Sequence, residues 1–299
     1  MPVFKYMSTE VAPLFAKTLK VRFTQPSDLN DPFEFRPLID FEGTAVELRG
    51  EVDARITAMF GTIDGALAMM EKQQVSDPNY PKMVVPIQVF RRMVAANPNL
   101  GQQFMAEMRR HKSEVLDVLT RAVVWEVQWE KFQQTFGQLV GIFSLTEDPA
   151  HTLMWSHYAS QHYGMVVEFD EVDPWFDQKL APPDEFRHLV KVAYVENPHP
   201  RTWKQLSGVD VLYTKNAEWT YEREWRIIRP LKEGTEVSSG KFCFDVPANA
   251  VRGIIFGCRT TPALEAEIRA VVAANPALSH VRFKRSKLGG GKIELVDAS

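Results

Sequence analysis

Residues 221–226, with the sequence YEREWR, place two carboxylates two positions apart in a run that favours an extended chain. Aromatic and aliphatic side chains favour a strand here, and Pro230 ends it. Side chains alternate along a strand, so Glu222, Glu224 and Arg226 are predicted to share one face, with the two acids about 7 Å apart. If this face is partly shielded from solvent, each carboxylate would oppose ionisation of the other. The alternative interpretation is an exposed ladder of weak Glu–Arg ion pairs.

A second chemically rich segment, residues 153–164, is predicted to form a short helix. Trp155 and Tyr158 would lie on one side of this helix, with His157 at its flank. One interpretation is that these two rings form a flat apolar wall and that His157 or Ser144 supplies a polar group to a ligand, which suits a planar heteroaromatic ligand. The other is that Trp155 and Tyr158 are core residues whose N–H and O–H groups bond to the backbone.

Other catalytic patterns have less support. His157 and His162 are five residues apart with no acid one turn away, so we expect no metal site. A Ser-His-Asp triad lacks the glycines of a nucleophile elbow, and Cys243 and Cys258 have no activating neighbours in the sequence. The acid pair is therefore the leading candidate for chemistry.

Composition excludes several classes of protein. The net charge of −3, with 24 % charged residues, gives no general basic field for nucleic acid, although residues 282–287 form a local basic strip. Two cysteines are too few for a disulfide framework or a structural zinc site. No hydrophobic run reaches secretory or membrane-spanning length, so we expect a cytoplasmic protein without a membrane partner.

Periodicity along the chain predicts an α+β fold, a single domain over residues 1–299 with a helical insertion at 44–137. A first helix, which Ser8 or Thr9 would cap, lies between two short strands. Thr44 begins a capping box, and Thr261 with Pro262 begins a late helix. The insertion would hold helices at 82–96, 100–119 and part of 120–136. Strands are predicted at 3–6, 20–24, 139–145, 165–169, 189–195, 221–228, 241–246, 252–256, 281–284 and 292–296.

Three blocks of the sequence resemble a known bacterial family. They are LNDPFE at 29–34, MWSHYA at 154–159 followed by Gly164 and EFD at 168–170, and WTYEREWR at 219–226. Together and in this order they resemble the domain of unknown function 2971, a family without an assigned activity. Its members often carry Lys-Tyr-Arg on the first strand, whereas here Lys5-Tyr6 is followed by Met7. Any role that the arginine has in the family is therefore not carried over to this chain. The catalytic competence of the site depends on this difference.

The order of elements also resembles that of ADP-ribosyltransferases, at the level of topology and a short motif. This resemblance implies an ADP-ribosyltransferase-like mixed or antiparallel β core and NAD as the substrate. Glu224 would stabilise positive charge on the ribose, and Glu222 would orient or deprotonate the nucleophile. Arg226 would keep Glu224 ionised or contact a phosphate. The other implied NAD-contacting residues are Tyr6, Ser8, Ser144, Trp155, His157 and Tyr158.

The expected function is therefore that of an NAD-dependent mono-ADP-ribosyltransferase-like enzyme, a bacterial toxin or defence effector that modifies nucleic acid or protein. Two alternatives stay open. One is a non-catalytic member of the same fold that binds a nucleotide or a protein. The other is a metal-dependent hydrolase or nuclease that uses Glu222, Glu224 and Asp31 around a divalent cation.

Overall fold

The computed structural model describes residues 2–76, 85–119, 122–180, 184–196, 198–206 and 210–298. The chain forms two compact units. The first, which we call the α+β unit, comprises Met1–Leu38, Phe132–His199 and Leu206–Ser299. The second, the helical unit, comprises Ile39–Lys131 and Pro200–Gln205 and overlaps most of the predicted insertion.

A mixed eight-stranded sheet forms the centre of the α+β unit, so the protein is of the α+β class. In spatial order its strands are β13 (Lys292–Asp297), β12 (Arg282–Gly289), β11 (Val251–Phe256), β4 (Met165–Phe169), β1 (Val3–Met7), β3 (Val140–Thr146), β8 (Glu224–Pro230) and β5 (Val190–Lys191). Only the β11–β12 pair is parallel within this sheet. Two smaller sheets complete the described strands: β2 (Lys20–Phe23), β10 (Lys241–Asp245) and β9 (Thr235–Ser238), and the parallel pair β6 (Ala193–Val195) and β7 (Thr214–Asn216).

The α+β unit contains the helices α1 (Val11–Thr18), α7 (Thr152–Tyr158) and α8 (Pro262–Ala274). The predicted start of α8 is confirmed, since the Thr261 hydroxyl accepts from the Leu264 N–H and Pro262 is the first helical residue. Phe15 of α1 and Ile268 of α8 are buried in the same apolar cluster as Phe143 and Phe169 of the sheet. This cluster covers one face of the sheet and leaves the other face to α7.

The helical unit contains α2 (Phe41–Phe60), α3 (Ile63–Ser76), α4 (Ile87–Ala96), α5 (Pro98–Leu119) and the first part of α6 (Ala122–Gly137). The predicted start at Thr44 is wrong, because the Asp40 carboxylate caps α2 by accepting from the Gly43 N–H at 2.8 Å. The described part of the helix predicted at 82–96 begins at Ile87, and residues 82–84 lie outside the described residues. Among the helices described, none combines the length and apolarity needed to cross a bilayer.

The predicted strand at 221–228 begins later than the sequence suggests. Residues Ala217–Glu222 form a 3₁₀ helix, which the Asn216 side chain caps by accepting from the Glu218 N–H. Arg223 then adopts a left-handed conformation with φ 44°, and β8 begins at Glu224. Glu222 and Glu224 therefore belong to two different elements, and the prediction that they share a strand face is wrong.

The central strands β1 and β3 separate after a single paired position. They pair only at Phe4 and Thr146, whereas β1 pairs with β4 at five positions and β3 with β8 at seven. A continued ladder would place Tyr6 opposite Ser144. Instead, the Lys5 ammonium donates to the Ser144 carbonyl at 2.7 Å. The sheet consequently opens between these two strands.

Candidate functional site

A cavity of about 250 Å³ lies where β1 and β3 separate. Residues 4–6 of β1 and 144–146 of β3 line it, together with Asn30 and Glu34 from the loop after β2 and Tyr158 from α7. One wall is charged and consists of Lys215, Glu222, Glu224 and Arg226, and we call it the charged wall. The other lining residues are Thr24, Asp28, Leu29 and Met154. Segments that are distant in sequence therefore converge on one small space that has charged groups on one wall.

Lys215 lies at the centre of the charged wall and is only 2 % exposed. Its Nζ lies 2.7 Å from Glu222 Oε2, 2.9 Å from Glu34 Oε1 and 3.3 Å from Glu224 Oε2. Burial opposes its charge, but the three carboxylates outweigh burial and raise the pKa of Lys215 above its usual value. Lys215 is thus a permanent cation that joins three buried acids.

Arg226 is the second permanent cation and is 1 % exposed. It forms a fork with Glu224, since Nε donates to Oε1 at 2.7 Å and Nη2 donates to Oε2 at 2.9 Å. Nη2 also donates to Glu34, and Nη1 donates to the Leu212 carbonyl at 2.7 Å. Every terminal nitrogen of the guanidinium therefore has a partner within the protein.

Glu224 is held in the ionised form. Burial opposes its charge, but Arg226, Lys215 and a hydrogen bond from Ser144 outweigh this effect and lower its pKa to about 2. A carboxylate has about four acceptor positions, and these donors occupy them. Glu224 consequently has little capacity left to accept a hydrogen bond from a ligand.

Glu222 has more acceptor capacity. The Tyr158 hydroxyl donates to its Oε1 at 2.5 Å, and Lys215 donates to its Oε2 at 2.7 Å. These two bonds leave about two acceptor positions for a ligand. The Tyr158 hydroxyl in turn accepts from the Asn30 amide at 2.7 Å, and burial together with Glu222 raises the pKa of Tyr158.

Local contacts explain how Glu222 reaches the cavity although it lies outside β8. The Thr146 hydroxyl donates to the Glu222 carbonyl at 2.6 Å, which fastens the end of the 3₁₀ helix to β3. Arg223 then turns the chain into β8, where Thr146 is paired with Glu224. The two carboxylates thus converge on Lys215 from separate elements.

Lys5 is the other lysine of the cavity, and its surroundings differ from those of Lys215. It is half-buried, donates to the Ser144 carbonyl and lies 5.2 Å from the centre of the Phe143 ring. Burial lowers its pKa to about 8, although Glu224 and Glu222 act in the opposite direction. Within the described part of the chain, no carboxylate makes an ion pair with Lys5.

Six of the nine residues proposed from the sequence line the cavity: Tyr6, Ser144, Tyr158, Glu222, Glu224 and Arg226. The Tyr6 hydroxyl donates to the Asp148 carbonyl at 2.8 Å, so its polar end is already bonded. The structure brings the acid pair and two of the three proposed aromatic residues, Tyr6 and Tyr158, into one space.

The other three proposed residues do not line the cavity. Trp155 is fully buried, donates from its indole N–H to the Pro149 carbonyl at 2.9 Å and packs edge-on against Tyr6. Its prediction as a ligand wall is therefore wrong, and the core interpretation holds. The His157 side chain is exposed, and the Ser8 hydroxyl accepts from the Val11 N–H at the start of α1.

Sequence reasoning missed Lys5, Asn30, Glu34 and Lys215. Asn30 and Glu34 lie in the block at 29–34 that carries the family resemblance, but the density of turn residues there suggested only a rigid loop. Lys5 also lay next to a proposed residue. Lys215 has no local signal, because all three of its acidic partners come from outside its own strand.

The charged wall has a bearing on the metal-dependent alternative. The Lys215 ammonium bridges Glu222 and Glu224 at the position that a shared cation would take. Asp31 does not line the cavity, and its Oδ1 accepts from the Phe33 N–H. Among the described residues, no group of three or more His, Cys, Asp or Glu side chains could hold a metal ion.

The fold and site define a mixed α+β protein with a buried, charge-paired cavity at a split in its central sheet. The family described as protein of unknown function (DUF2971) matches residues 154–227. The matched segment contains Tyr158 and all four residues of the charged wall but not Glu34, so the resemblance to this family covers the centre of the site. No curated protein and no solved structure matches the chain.

Proposed function

We propose that the cavity is the active site of a mono-ADP-ribosyltransferase-like enzyme that cleaves the bond between nicotinamide and ribose in NAD. The observation that carries the proposal is the Glu222 carboxylate, which is 4 % exposed, lines the cavity beside Tyr158 and retains acceptor capacity. The acceptor of the ADP-ribose would be a nucleic acid, a protein or water. A β core of the ADP-ribosyltransferase type is part of the same proposal.

The chemistry requires a buried carboxylate near the ribose. Cleavage builds positive charge on the ribose ring, and a carboxylate that accepts from the 2′-hydroxyl stabilises this charge. Glu222 fits this role better than Glu224, because Arg226, Lys215 and Ser144 already occupy the acceptor positions of Glu224. We therefore assign the ribose contact to Glu222, and to Glu224 the role of holding Lys215 and Arg226 in place.

The charge of the cavity favours a cationic ring. The carboxylates of Glu34, Glu222 and Glu224 face two permanent cations, Lys215 and Arg226. Burial raises the pKa of Glu34, so the count depends on its state: with Glu34 ionised and Lys5 neutral, one negative charge is not compensated. Nicotinamide in NAD is positively charged, and the ribose becomes positive in the transition state, so both would be stabilised here.

The size of the cavity limits which part of NAD it can enclose. Ligand pockets commonly measure about 300–1,000 Å³, so a cavity of about 250 Å³ suits nicotinamide and its ribose but not a complete dinucleotide. The order of the contributing elements also supports the proposal. β1, then β3 and α7, then β8 contribute to one cavity in the order that the resemblance to ADP-ribosyltransferases implies.

Incubation of the purified full chain with NAD, with nicotinamide release as the readout, tests this function. We expect release by the wild type and a loss of about 10²-fold or more in Glu222→Gln, which keeps the size of the side chain. Glu267→Gln is the matched control, because Glu267 is exposed and pairs with Lys17 outside the cavity. Absence of release by the wild type, or release at the wild-type rate by Glu222→Gln, would refute the proposal.

A role as a toxin or defence effector belongs to the same proposal and has its own measurement. Expression of the wild type in a bacterial host should slow growth, and Glu222→Gln expressed at the same level should not. Equal growth of the two strains would show that the enzymatic activity is not toxic to this host.

The second candidate function is a non-catalytic nucleotide-binding protein. The observation in its favour is that Lys215 contacts all three carboxylates and so engages part of their capacity to act on a substrate. Met7 also favours this candidate, because members of the family that the sequence resembles often carry arginine at this position. Calorimetry distinguishes the two functions, because a binding protein would titrate NAD or a nucleotide fragment and leave it chemically intact.

A further inference from the structure

The geometry points to Lys5 as the proton acceptor of this site, with its neutral amine taking the proton of the nucleophile that attacks the ribose. The inference rests on the proposed function, because it assigns one step of the same reaction. It differs from the expectation derived from the sequence, in which Glu222 orients or deprotonates the nucleophile.

The first argument is position. Lys5 lies on β1, directly beyond the single pair that joins β1 to β3, and lines the cavity at the split. Its Nζ donates to one backbone carbonyl, that of Ser144. An amine has one lone pair when neutral, and the carbonyl bond uses an N–H and leaves this lone pair available.

The second argument is elimination within the cavity. Glu224 accepts from Arg226 and Lys215, Glu222 accepts from Tyr158 and Lys215, and Glu34 pairs with both cations. The cations hold the pKa of Glu224 at about 2, which makes it a weak base. Burial raises the pKa of Glu34, but both of its oxygens lie against cations, Oε1 against Lys215 and Oε2 against Arg226. Glu222 is already assigned to the ribose contact. Lys215 is equally unsuited, because three carboxylates hold it as an ammonium group.

The third argument is the balance of charge around Lys5. The charged groups that face it are Glu224 of β8, Glu222 of the 3₁₀ helix and Lys215 of β7, while Glu34, Arg226 and Asp28 line other parts of the same cavity. Burial outweighs the two carboxylates, and the pKa of Lys5 is about 8. A base with a pKa close to the operating pH transfers protons efficiently.

The step balances with water or a hydroxyl group as the nucleophile. The nucleophile oxygen forms a bond to the ribose carbon, and the bond between that carbon and the nicotinamide nitrogen breaks with its electron pair on the nitrogen. The proton of the nucleophile moves to Lys5 Nζ, which becomes an ammonium group. Lys5 then releases this proton to solvent, so no oxidant, reductant or further co-reactant takes part.

The test compares the pH dependence of kcat/KM for nicotinamide release between the wild type and two variants of Lys5. The wild-type value should rise with pH and level off above about pH 8, because the base must be neutral. Lys5→Met should lose about 10²-fold or more at pH 9 and lack this rise. Lys5→Arg, whose guanidinium stays charged, should be similarly inactive. Lys17→Met, at an exposed ion pair on α1, is the matched control.

Two further measurements separate a proton acceptor from a structural lysine. Methylamine in the assay should restore part of the activity of Lys5→Ala, and NAD affinity measured by calorimetry should change less than threefold in Lys5→Met. One outcome would refute the role of Lys5 and retain the proposed function: the wild type turns over NAD, Glu222→Gln does not, and Lys5→Met keeps the wild-type pH profile. No turnover by the wild type would refute both.

Discussion

The ammonium group of Lys215 donates to the Glu222 carboxylate at 2.7 Å, and both side chains are almost completely buried. The same ammonium group contacts Glu34 and Glu224. A buried cation with three acidic partners determines whether those acids can remain ionised without solvent. Lys215 is therefore the residue on which the charged wall depends.

Replacing Lys215 with methionine should lower the free energy of unfolding by about 3–5 kcal/mol, because it leaves buried carboxylates without their cation. Urea denaturation monitored by tryptophan fluorescence measures this change. Lys191→Met is the control, since the exposed Lys191 also pairs with a carboxylate, that of Glu147, and should change stability by less than about 1 kcal/mol. Equal effects of the two substitutions would contradict this view of Lys215.

Asn30 and Tyr158 should be energetically coupled. The Asn30 amide donates to the Tyr158 hydroxyl, which itself donates to Glu222, so removal of either group weakens the same chain of bonds. A double-mutant cycle of Asn30→Ala and Tyr158→Phe should give a coupling energy of about 0.5–1.5 kcal/mol in thermal or urea unfolding. Tyr163→Phe, at a partly exposed tyrosine outside the cavity, should show no coupling to Asn30→Ala.

Gly164→Ala should strongly destabilise the α+β unit. A Cβ at this position would overlap the Met7 carbonyl oxygen and lie 3.0 Å from the Ala159 carbonyl oxygen, and backbone atoms cannot move aside as a flexible side chain can. We expect a loss of at least about 2 kcal/mol in urea unfolding. Gly50→Ala is the control, because a Cβ there meets nothing within 4 Å and alanine favours the helix by up to about 1 kcal/mol.

Acid should destabilise the protein through Glu224. Its pKa is about 2 in the folded chain and 4.5 as the reference value, so its contribution to stability is complete above pH 4.5 and is lost as the pH falls towards 2. The difference corresponds to about 3 kcal/mol. Urea denaturation at a series of pH values between 6 and 2 should therefore give a steeper loss for the wild type than for Glu224→Gln. Parallel curves for the two proteins would contradict this assignment.

The elements with purely local signals could be predicted from the sequence. The sequence predicts strand β4 with its observed bounds, because an apolar run broken at Glu168 follows Gly164. Helix α8 was predicted because its cap and first proline are adjacent in sequence. In these elements the local sequence is sufficient to predict the backbone conformation.

The parts that depend on distant contacts could not be predicted. Glu222 lies outside β8 because Asn216 caps a 3₁₀ helix and Thr146 fastens its end to another strand. Trp155 and Tyr158 are three residues apart on one short helix, yet one is core and the other lines the cavity. A periodic pattern identifies an apolar side of a helix, but only tertiary packing decides which residues on it reach a ligand.

The separation of β1 from β3 divides the large sheet into a five-stranded half and a three-stranded half joined at one residue pair. Lys5 and Tyr6 belong to the larger part, whereas Glu224 and Arg226 belong to the smaller one. The lysine proposed as the base and the carboxylates that hold Lys215 therefore stand on opposite sides of the split. A single pair of the β1–β3 ladder and the bond from Lys5 to the Ser144 carbonyl set the spacing of the two sides, so the alignment of the reacting groups depends on these two contacts.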